Sequence, residues 1–351
     1  MEIGFPVIKY QKGLSQKQWG QQHGEAFRDA IRELAAIRTD LILSASNRFN
    51  KSNISENSKI QLRITEQFSQ DLSQELKGIM DGANLSPSDC VILNNYTDFR
   101  DLSFNNQILN DGCSTVYVNN DGKHLAGQTW DMHNSARRFL AVIDTPDCKI
   151  MTVVGCVGLM GFNSAKCMIA VNNLNTTDAV NGVIWPVMVR KCLQASKVSQ
   201  MSQILKTTMV TSGHNYLIAD SQGAQNWEIT PTQKKLTHTV QSEGFVFHTN
   251  HCLAPETIAV ESAVNISPTS LKRYKLIQDR INKVKSADDF KGLLTSHDEF
   301  PLSVCSHPPA TNAESSETCG GAMADLKSGQ LLFWRGCEKR KEFFIEREFQ
   351  I

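Results

Sequence analysis

The sequence predicts an α+β fold in which layers of helices cover two stacked β-sheets. Over roughly the first hundred residues, apolar side chains recur at the spacing of a helix face. Near residue 113 the pattern changes to that of strands, and the later strands form two blocks with pairs of helices between them. Because each sheet must bury an apolar face, this alternation is typical of stacked sheets with outer helix layers.

The amino-terminal part is predicted to be helical. Two runs have helical spacing: Trp19, His23, Phe27, Ile31 and Leu34, and then Ile60, Ile64, Phe68, Leu72, Leu76 and Ile79. A third helix is predicted to begin with Ser86 as its cap and Pro87 in its first turn. The polar stretch 47–58, rich in Asn and Ser, is expected to be an exposed connection between helices.

Strand patterns dominate from Cys113 onward. Residues 114–118 and 124–130 flank an Asn120-Asp121-Gly122 turn and are predicted to form a β-hairpin. Further strands are predicted at 139–144, 149–154, 167–172, 215–219, 227–229, 235–239, 245–248, 322–326, 330–334 and 342–349. Helices are predicted at 185–196, 198–208, 270–281 and after Ser286. Cys113 is thus predicted to start a strand.

Length and composition are those of one globular domain, 1–351. The 351 residues are 40% hydrophobic, which is enough for a sizeable core, and large sandwich folds often run this long as a single domain. The 36 basic and 36 acidic residues balance, so neither nucleic acid nor an anionic membrane is an expected partner. Small molecules are the expected partners.

The cysteines and the N-terminus favour a reducing compartment. The ten cysteines include no CxxC pair and no dense cluster, so they are expected to be free thiols. The stretch Met1–Pro6 lacks the basic and apolar regions of a secretory signal, and no stretch approaches the eighteen or more apolar residues that span a bilayer. A cytoplasmic location is therefore expected.

The peptide bond between Gly112 and Cys113 is the predicted site of self-cleavage, and Cys113 is the predicted nucleophile. A free thiol is only a few per cent ionised at neutral pH, so a nucleophilic cysteine needs a base close by. A cysteine at a chain N-terminus carries its own base, an α-amino group with a pKa of about 7.7 to 8.0. Gly112 has no Cβ to obstruct attack by the Cys113 sulfur on its carbonyl. The thiol would first cut its own peptide bond by an N-to-S acyl shift and later attack a substrate.

Short motifs run in order through nearly the whole chain. They are Gly20-Gln21-Gln22-His23-Gly24, Glu75-Leu76-Lys77-Gly78-Ile79, Leu93-Asn94-Asn95, Asp111-Gly112-Cys113-Ser114-Thr115, Gly127-Gln128-Thr129-Trp130-Asp131, Ala170-Val171-Asn172-Asn173-Leu174, Gly213-His214-Asn215-Tyr216, His248-Thr249-Asn250-His251 and Ala324-Asp325-Leu326. In these motifs and their order the chain resembles the acyl-coenzyme A:6-aminopenicillanic acid acyltransferase (isopenicillin N acyltransferase) family of N-terminal nucleophile hydrolases.

The resemblance implies a four-layer αββα sandwich that is made as a precursor. Self-cleavage between Gly112 and Cys113 would give the α-subunit or pro-segment 1–112 and the β-subunit 113–351, which starts at the nucleophile. The two fragments, of roughly 12 and 27 kDa, are expected to stay associated.

The resemblance also implies roles for residues of this sequence. Cys113 corresponds to the nucleophile, and Asp131, eighteen residues later, corresponds to the acidic residue that orients its α-amino group. Asn250 corresponds to the oxyanion-hole amide, whose N–H donors would meet the developing negative charge. Asn173 or Asn172 is a candidate for a second donor or a substrate contact.

One position departs from the family pattern. Relatives carry a catalytic-site arginine after a cysteine late in the chain, and Ser306, which follows Cys305, occupies that place here. The positive charge is therefore expected to be lost or to come from elsewhere, with Arg137 and Arg138 as candidates. An arginine would tune the thiol and hold an acidic part of the substrate, so this departure argues against a penicillin-type substrate and against full activity.

No metal and no cofactor are predicted, since the chemistry needs only a thiol, an amine and hydrogen-bond donors. His214, His248 and His251 are expected to be structural. An N-terminal cysteine needs no histidine base, and no acidic ligand accompanies these histidines at a spacing typical of metal sites.

The predicted function is that of an amidohydrolase or acyltransferase. Cys113 would attack a small linear amide, and the acyl-thioester would pass its acyl group to water or to an amine. Hydrolysis is favoured over transfer because no motif indicates a second binding site. Two alternatives stay open: a Cys–His hydrolase or thioesterase that acts uncut with His248 or His251, and a catalytically silent relative that binds a small ligand.

Overall fold

The computed structural model describes residues 3–45, 49–102, 112–263, 266–307 and 315–351. Its α-helices are α1 (Gln16–Ala26), α2 (Arg28–Ala45), α3 (Lys51–Phe68), α4 (Gln70–Ala83), α5 (Pro87–Leu102), α6 (Trp185–Cys192), α7 (Val198–Thr207), α8 (Pro255–Ile258), α9 (Pro268–Arg280) and α10 (Ala287–Leu294). Its strands are β1 (Val7–Lys9), β2 (Cys113–Asn120), β3 (Lys123–His133), β4 (Leu140–Asp144), β5 (Cys148–Val153), β6 (Met160–Asn163), β7 (Met168–Leu174), β8 (Gly213–Asp220), β9 (Gly223–Ile229), β10 (Lys234–Val240), β11 (Gly244–His248), β12 (Ser316–Asp325), β13 (Gln330–Arg335) and β14 (Ile345–Gln350).

Two sheets form the centre of the fold. One has eight strands in the order β1-β4-β5-β6-β7-β8-β9-β10, and the other has six in the order β11-β2-β3-β12-β13-β14. Among these pairs β1 and β4 run parallel and the others run antiparallel. Strand β2 shows how the sheets are layered: Tyr117 lies in the large core with the eight-stranded sheet, whereas Val116 and Val118 lie in a smaller core with α9 and α10. Alternate residues of a strand face opposite sides, so β2 lies between two apolar layers.

Helices cover both outer faces. The large core joins the eight-stranded sheet to buried residues of α2, α4 and α5, such as Ile31, Ile79 and Leu93. The smaller core joins the outer face of the six-stranded sheet to Ile277 of α9 and Leu294 of α10. The four layers are helix, sheet, sheet and helix, so the predicted αββα sandwich is confirmed.

The predicted hairpin is confirmed in register. Asn120 pairs with Lys123 and Ser114 pairs with Thr129, and the turn between the strands places Asp121 and Gly122 at positive φ angles of 51° and 72°. A turn of this kind needs positive φ at both central residues, which Asp and Gly tolerate.

Other expectations for the helical part need correction. The first helical run is two helices, α1 and α2, that meet at Phe27, a residue with non-helical φ and ψ of −123° and 23°. The second run is also two helices, α3 and α4, that meet at Ser69, whose φ and ψ are −155° and 102°. The stretch 47–58 is not a connection from residue 50 onward, because Asn50 caps α3 by accepting from the amides of Ser52 and Asn53. Asn and Ser favour such caps as much as loops. The short strands β1 and β6 had no sequence signal.

Helices α1 and α4 approach closely through four glycines. A Cβ at Gly20 or Gly24 would overlap backbone atoms of α4, and a Cβ at Gly78 or Gly82 would overlap backbone atoms of α1. The i, i+4 spacing puts each pair on one face of its helix, so the two backbones can come into contact there.

A buried ionic cluster fixes this helix pair to the rest of the fold. Glu75 of α4 is fully buried and accepts hydrogen bonds from both terminal nitrogens of Arg190 in α6, at 2.8 and 2.9 Å. Tyr10, next to β1, also donates to Glu75 at 2.8 Å. A buried carboxylate needs such partners, because an unpaired charge in the interior is very costly.

None of the described helices is both long enough and apolar enough to cross a membrane. All ten cysteines are free thiols in the structure, as predicted.

The glycine contact between α1 and α4 predicts opposite effects of two Gly→Ala substitutions. Gly78→Ala is expected to lower the free energy of unfolding by about 1–3 kcal/mol, because its Cβ would be forced against the backbone of α1. The control Gly292→Ala lies in α10, where a Cβ meets no atom within 4 Å. It is expected to raise the stability by roughly 0.5–1 kcal/mol. Urea unfolding measures both, and equal effects would contradict the close helix contact.

Candidate active site

The β2–β3 hairpin brings the candidate nucleophile and the candidate acid together. Cys113 is the first residue of β2, and its Cα partner on β3 is Trp130, the residue before Asp131. The eighteen-residue separation of Cys113 and Asp131 in sequence is thus the length of one hairpin. Both residues are buried.

Asp131 holds the peptide group that precedes Cys113. Its backbone N–H donates to the carbonyl oxygen of Gly112 at 2.6 Å. Its carboxylate Oδ1 accepts from the Thr318 hydroxyl at 2.7 Å. A Cβ on Gly112 would lie 2.9 Å from Asp131 Oδ2 and would also overlap the guanidinium of Arg273. The close packing of these two charged groups therefore requires glycine at position 112; Asp111 lies outside the described residues.

Asn250 holds the other side of the same peptide. Its Oδ1 accepts the backbone N–H of Cys113 at 2.7 Å, and its Nδ2 donates to the backbone oxygen of Asn173 at 3.0 Å. The oxyanion-hole role predicted for Asn250 needs N–H donors aimed at a reacting oxygen. In the uncut chain the side chain instead presents its oxygen to the Gly112–Cys113 peptide nitrogen.

The positive charge of the site comes from Arg273 of α9. Its Nη1 donates to the Cys113 carbonyl at 2.6 Å and to the Ser114 hydroxyl at 3.1 Å, and its Nη2 donates to Asn250 Oδ1 at 2.9 Å. The side chain is fully buried. Burial lowers the pKa of Arg273, and the charges of Asp131 and Cys113 act in the opposite direction.

The two arginines proposed from the sequence as sources of this charge lie elsewhere, which corrects that expectation. Arg137 pairs with Glu317, and Arg138 pairs with Glu33 at 2.7 Å. The sequence did contain a signal for Arg273, because it precedes the buried Ile277 by one helical turn and so lies on the buried face of a predicted helix. A charged residue on such a face needs a partner, which is typical of functional sites.

Ser306 is connected to the Asp131 carboxylate through Thr318. Its backbone N–H donates to the Thr318 hydroxyl at 2.8 Å, and that hydroxyl donates to Asp131. Its own hydroxyl donates to the Pro301 carbonyl at 2.5 Å. That Ser306 replaces a family arginine stays a prediction.

Asn172 and Asn173 have different surroundings. Asn172 is fully buried, donates to the Cys113 carbonyl at 2.9 Å and accepts from Thr115 and Asn215. Asn173 is one of the residues that line the cavity beside Cys113, and its Oδ1 has no hydrogen-bond partner in the described chain. Of the two, Asn173 is therefore the one placed to contact a substrate.

A small cavity of about 30 Å³ adjoins Cys113. Its walls include Gly112, Cys113, Asp131, Asn250 and His214. This volume holds one or two water molecules, whereas ligand pockets typically measure about 300–1,000 Å³.

The Cys113 thiol is protonated at neutral pH in the uncut chain. Burial is the main cause, and together with the negative charge of Asp131 it raises the pKa of Cys113 to about 12. The Asp131 amide, Arg273 and the Gln128 side chain lower the pKa of the thiol, with smaller effect. An added base is needed before this sulfur becomes an efficient nucleophile.

The contacts of the histidines suit the predicted structural roles. His248 uses Nε2 for Glu228, at 2.9 Å, and Nδ1 for the Thr249 carbonyl, at 2.7 Å. His251 directs Nδ1 to the Ser270 hydroxyl at 2.8 Å. None of the described hydrogen bonds of these two imidazoles reaches Cys113.

His214 lies in the cavity wall, 3.3 Å from the carboxyl of Asp98. Burial lowers the pKa of His214 to about 3, and burial raises the pKa of Asp98. The His214 imidazole is therefore neutral at neutral pH, and the contact is not an ion pair.

Comparison with known proteins gives one family. The family model described as acyl-coenzyme A:6-aminopenicillanic acid acyl-transferase matches residues 118–327. A relative from Emericella nidulans, described as the 40 kDa form of acyl-coenzyme A:6-aminopenicillanic-acid-acyltransferase, is 24% identical over 294 residues. The aligned region covers 82% of this chain and 81% of the relative.

Two solved structures also show similarity to this chain. A mutant of the conjugated bile acid hydrolase from Clostridium perfringens has a TM-score of 0.41 and 10% identity, covering 68% of this chain and 92% of its own. Penicillin V acylase from Agrobacterium tumefaciens has a TM-score of 0.41 and 10% identity, covering 64% of this chain and 83% of its own.

The site geometry predicts that Arg273→Met destabilises the protein by roughly 3–5 kcal/mol, because it removes the buried positive charge from beside the buried Asp131 carboxylate. It also removes the hydrogen bonds from Arg273 to the Cys113 carbonyl and to Asn250 Oδ1. Arg280→Met on the same helix is the control, since Arg280 is 41% exposed and pairs with the exposed Asp298. Its cost is expected to stay below about 1 kcal/mol. Urea midpoints measure both, and a similar small shift for the two variants would rule out a buried charge cluster.

Proposed function

Because the chain belongs to the acyl-coenzyme A:6-aminopenicillanic acid acyltransferase family, we propose that it is a self-processing amidohydrolase with Cys113 as its N-terminal nucleophile. One observation carries the proposal. Both sides of the Gly112–Cys113 peptide are held by hydrogen bonds, the carbonyl by the Asp131 amide and the N–H by Asn250 Oδ1. A peptide held in one orientation next to a thiol supports the proposal that this bond is the one attacked.

The first step is self-cleavage. The Cys113 sulfur attacks the Gly112 carbonyl carbon, the carbon–nitrogen bond breaks, and the thiol proton passes to the departing nitrogen. This leaves a thioester between Gly112 and the Cys113 side chain and a free amine on Cys113. Water then hydrolyses the thioester, which gives a carboxylate on Gly112 and restores the thiol.

Three groups of the site assist this step. The Asp131 amide is placed to stabilise the negative charge that forms on the Gly112 oxygen, an interaction worth about 10²–10³ in rate where it has been measured. Asn250 Oδ1 orients the departing nitrogen. The Arg273 guanidinium, bonded to the Cys113 carbonyl and to Asn250, fixes both and lowers the pKa of the thiol.

The new α-amino group then supplies the base that the uncut chain lacks. It forms beside Asn250 and Asp131, and the Asp131 carboxylate can hold it as an ammonium while it carries the thiol proton. Cys113 attacks the substrate carbonyl and forms an acyl-thioester. Asn250, freed from the peptide nitrogen, and Asn173 are the side chains proposed to contact the oxyanion or the substrate.

The cavity argues for a substrate that enters after cutting. At about 30 Å³ it excludes an amide substrate from the uncut site, and Gly112 forms part of its wall. Release of the Gly112 end would enlarge it. A small linear amide suits this site, and water is the acceptor that needs no second binding site. Hydrolysis is therefore proposed as the main reaction, and transfer of the acyl group to an amine is the alternative reaction.

The fragments 1–112 and 113–351 are proposed to remain associated. Helix α4 of the first fragment is bound to α6 of the second through the buried Glu75–Arg190 pair. Residues of α2, α4 and α5 share one core with both sheets. Separating the fragments would expose this apolar surface and the buried charges to water.

The uncut alternatives have weaker support. A Cys–His hydrolase would need an imidazole directed at Cys113, but His248 and His251 are bonded to Glu228, Thr249 and Ser270 instead. A catalytically silent relative would not need the close packing that excludes a side chain at position 112.

Cys113→Ala is expected to abolish cutting, because no other atom can make the thioester. At neutral pH the variant should remain one chain of 39.1 kDa, while the wild type gives a large fragment with Cys113 at its N-terminus. Cys167→Ala removes another fully buried thiol and is the matched control. Its cutting should equal that of the wild type. Intact mass and N-terminal sequencing give the readout.

Three outcomes contradict the proposal. Cutting of the Cys113→Ala variant at the same bond would remove the sulfur from the mechanism. An uncut wild-type chain that nevertheless hydrolyses amides would support the Cys–His alternative, and an uncut and inactive chain would support the silent relative.

A further inference from the structure

Four metal-ligating side chains converge at one point outside the proposed active site. They are His297, Cys305, His307 and Cys337, and their ligand atoms all lie within 4.8 Å of one another. His297 follows α10, Cys305 and His307 lie in the loop before β12, and Cys337 follows β13. The four residues are spread over 41 positions, 297–337, and their spacing is not typical of a zinc motif, so sequence patterns alone do not indicate a site.

The contacts within this Cys2His2 cluster are short and converge on a common centre. The Nε2 atoms of His297 and His307 face each other at 2.8 Å, and Cys337 Sγ lies 3.2 Å from His297 Nε2. The Sγ atoms of Cys305 and Cys337 lie within 4.8 Å of each other. Both cysteines are buried, at 2% and 5% exposure, and both are free thiols.

We propose that the Cys2His2 cluster is a structural zinc site. Two thiolates and two imidazole nitrogens are one of the ligand sets that bind Zn²⁺ tetrahedrally, at about 2.3 Å for sulfur and about 2.0–2.1 Å for nitrogen. A tetrahedron with these bond lengths places its ligand atoms roughly 3.3–3.8 Å apart. The observed spacings of 2.8 and 3.2 Å, within a set spanning 4.8 Å, need only small adjustments to reach it.

Other roles use only part of the cluster. A nucleophilic thiol would need one cysteine and one histidine, and a disulfide would need the two cysteines alone. Neither explains why the two imidazoles face each other through Nε2 while His297 Nε2 also contacts the Cys337 thiol. A metal ion accounts for all four, and four protein ligands close its coordination sphere, which is typical of a structural rather than a catalytic zinc.

The proposed ion would fix the segment that supports the catalytic carboxylate. Ser306 lies between the ligands Cys305 and His307, and its N–H donates to the Thr318 hydroxyl at 2.8 Å. That hydroxyl donates to Asp131 Oδ1 at 2.7 Å, and the Thr318 amide bonds to the Ser306 carbonyl at 2.6 Å. The cluster thus lies two hydrogen bonds from Asp131 and would position it without contacting substrate.

Metal analysis of the full chain tests the zinc site. We expect about one zinc per chain in the wild type, and almost none in Cys337→Ala and His297→Ala. Cys167→Ala, which removes a buried thiol far from the cluster in sequence, should keep its zinc. Cys113→Ala should also keep it, because the zinc site does not depend on processing.

Because loss of a ligand can also prevent folding, a second measurement uses the unsubstituted protein. After chelation of the native metal, added Co²⁺ should bind one per chain. It should give the visible bands of a tetrahedral site and the near-ultraviolet charge-transfer band of a cobalt–thiolate bond. These signals should be absent in the Cys337→Ala chain where that variant folds.

Three results would overturn the zinc site. The first is wild-type protein that neither contains zinc nor binds Co²⁺, and the second is full zinc content in Cys337→Ala. The third is a Cys305–Cys337 disulfide in protein purified without reductant, which would lower the mass by two hydrogens.

Discussion

The hydrogen bond from the Asp131 amide to the Gly112 carbonyl is the contact on which the site depends. It exists because the β2–β3 hairpin sets Asp131 beside the start of β2, and it is 2.6 Å long. The same arrangement leaves no room for a side chain on residue 112. Asn250 and Arg273 then complete the enclosure of one peptide group. The register of the hairpin, the glycine at position 112 and the buried charges of Asp131 and Arg273 therefore all position the Gly112–Cys113 peptide.

Burial explains why this site would be inactive before cutting. The thiol of Cys113 has a pKa raised to about 12, so it is almost wholly protonated at neutral pH. The adjoining cavity of about 30 Å³ admits water but not a substrate. Cutting would supply an amine with a pKa near neutrality and remove the Gly112 end from the cavity wall. One covalent change would thus supply both the base and the space.

The features that the sequence predicted well are local in the chain. The hairpin and the positions of Cys113 and Asp131 follow from strand alternation and a turn, which depend on neighbouring residues. Arg273 was missed because its partners lie 23 and about 160 positions away, and only its place on the buried face of α9 marked it. The Cys2His2 cluster was missed for the same reason, since three separate segments supply its ligands. The sequence does not decide whether a residue such as Asn50 caps a helix or lies in a loop, because Asn is common in both. The structure decides it by showing the helix that follows.

The central claim is that amidase activity arises from cutting at Gly112–Cys113. The most direct test follows freshly made protein over time and measures the fraction of chains cut, by intact mass, together with the rate of hydrolysis of a panel of small fluorogenic amides. If cutting creates the active site, activity is absent at the start and rises in proportion to the fraction of chains cut. Full activity in the uncut chain, unchanged as cutting proceeds, would contradict it.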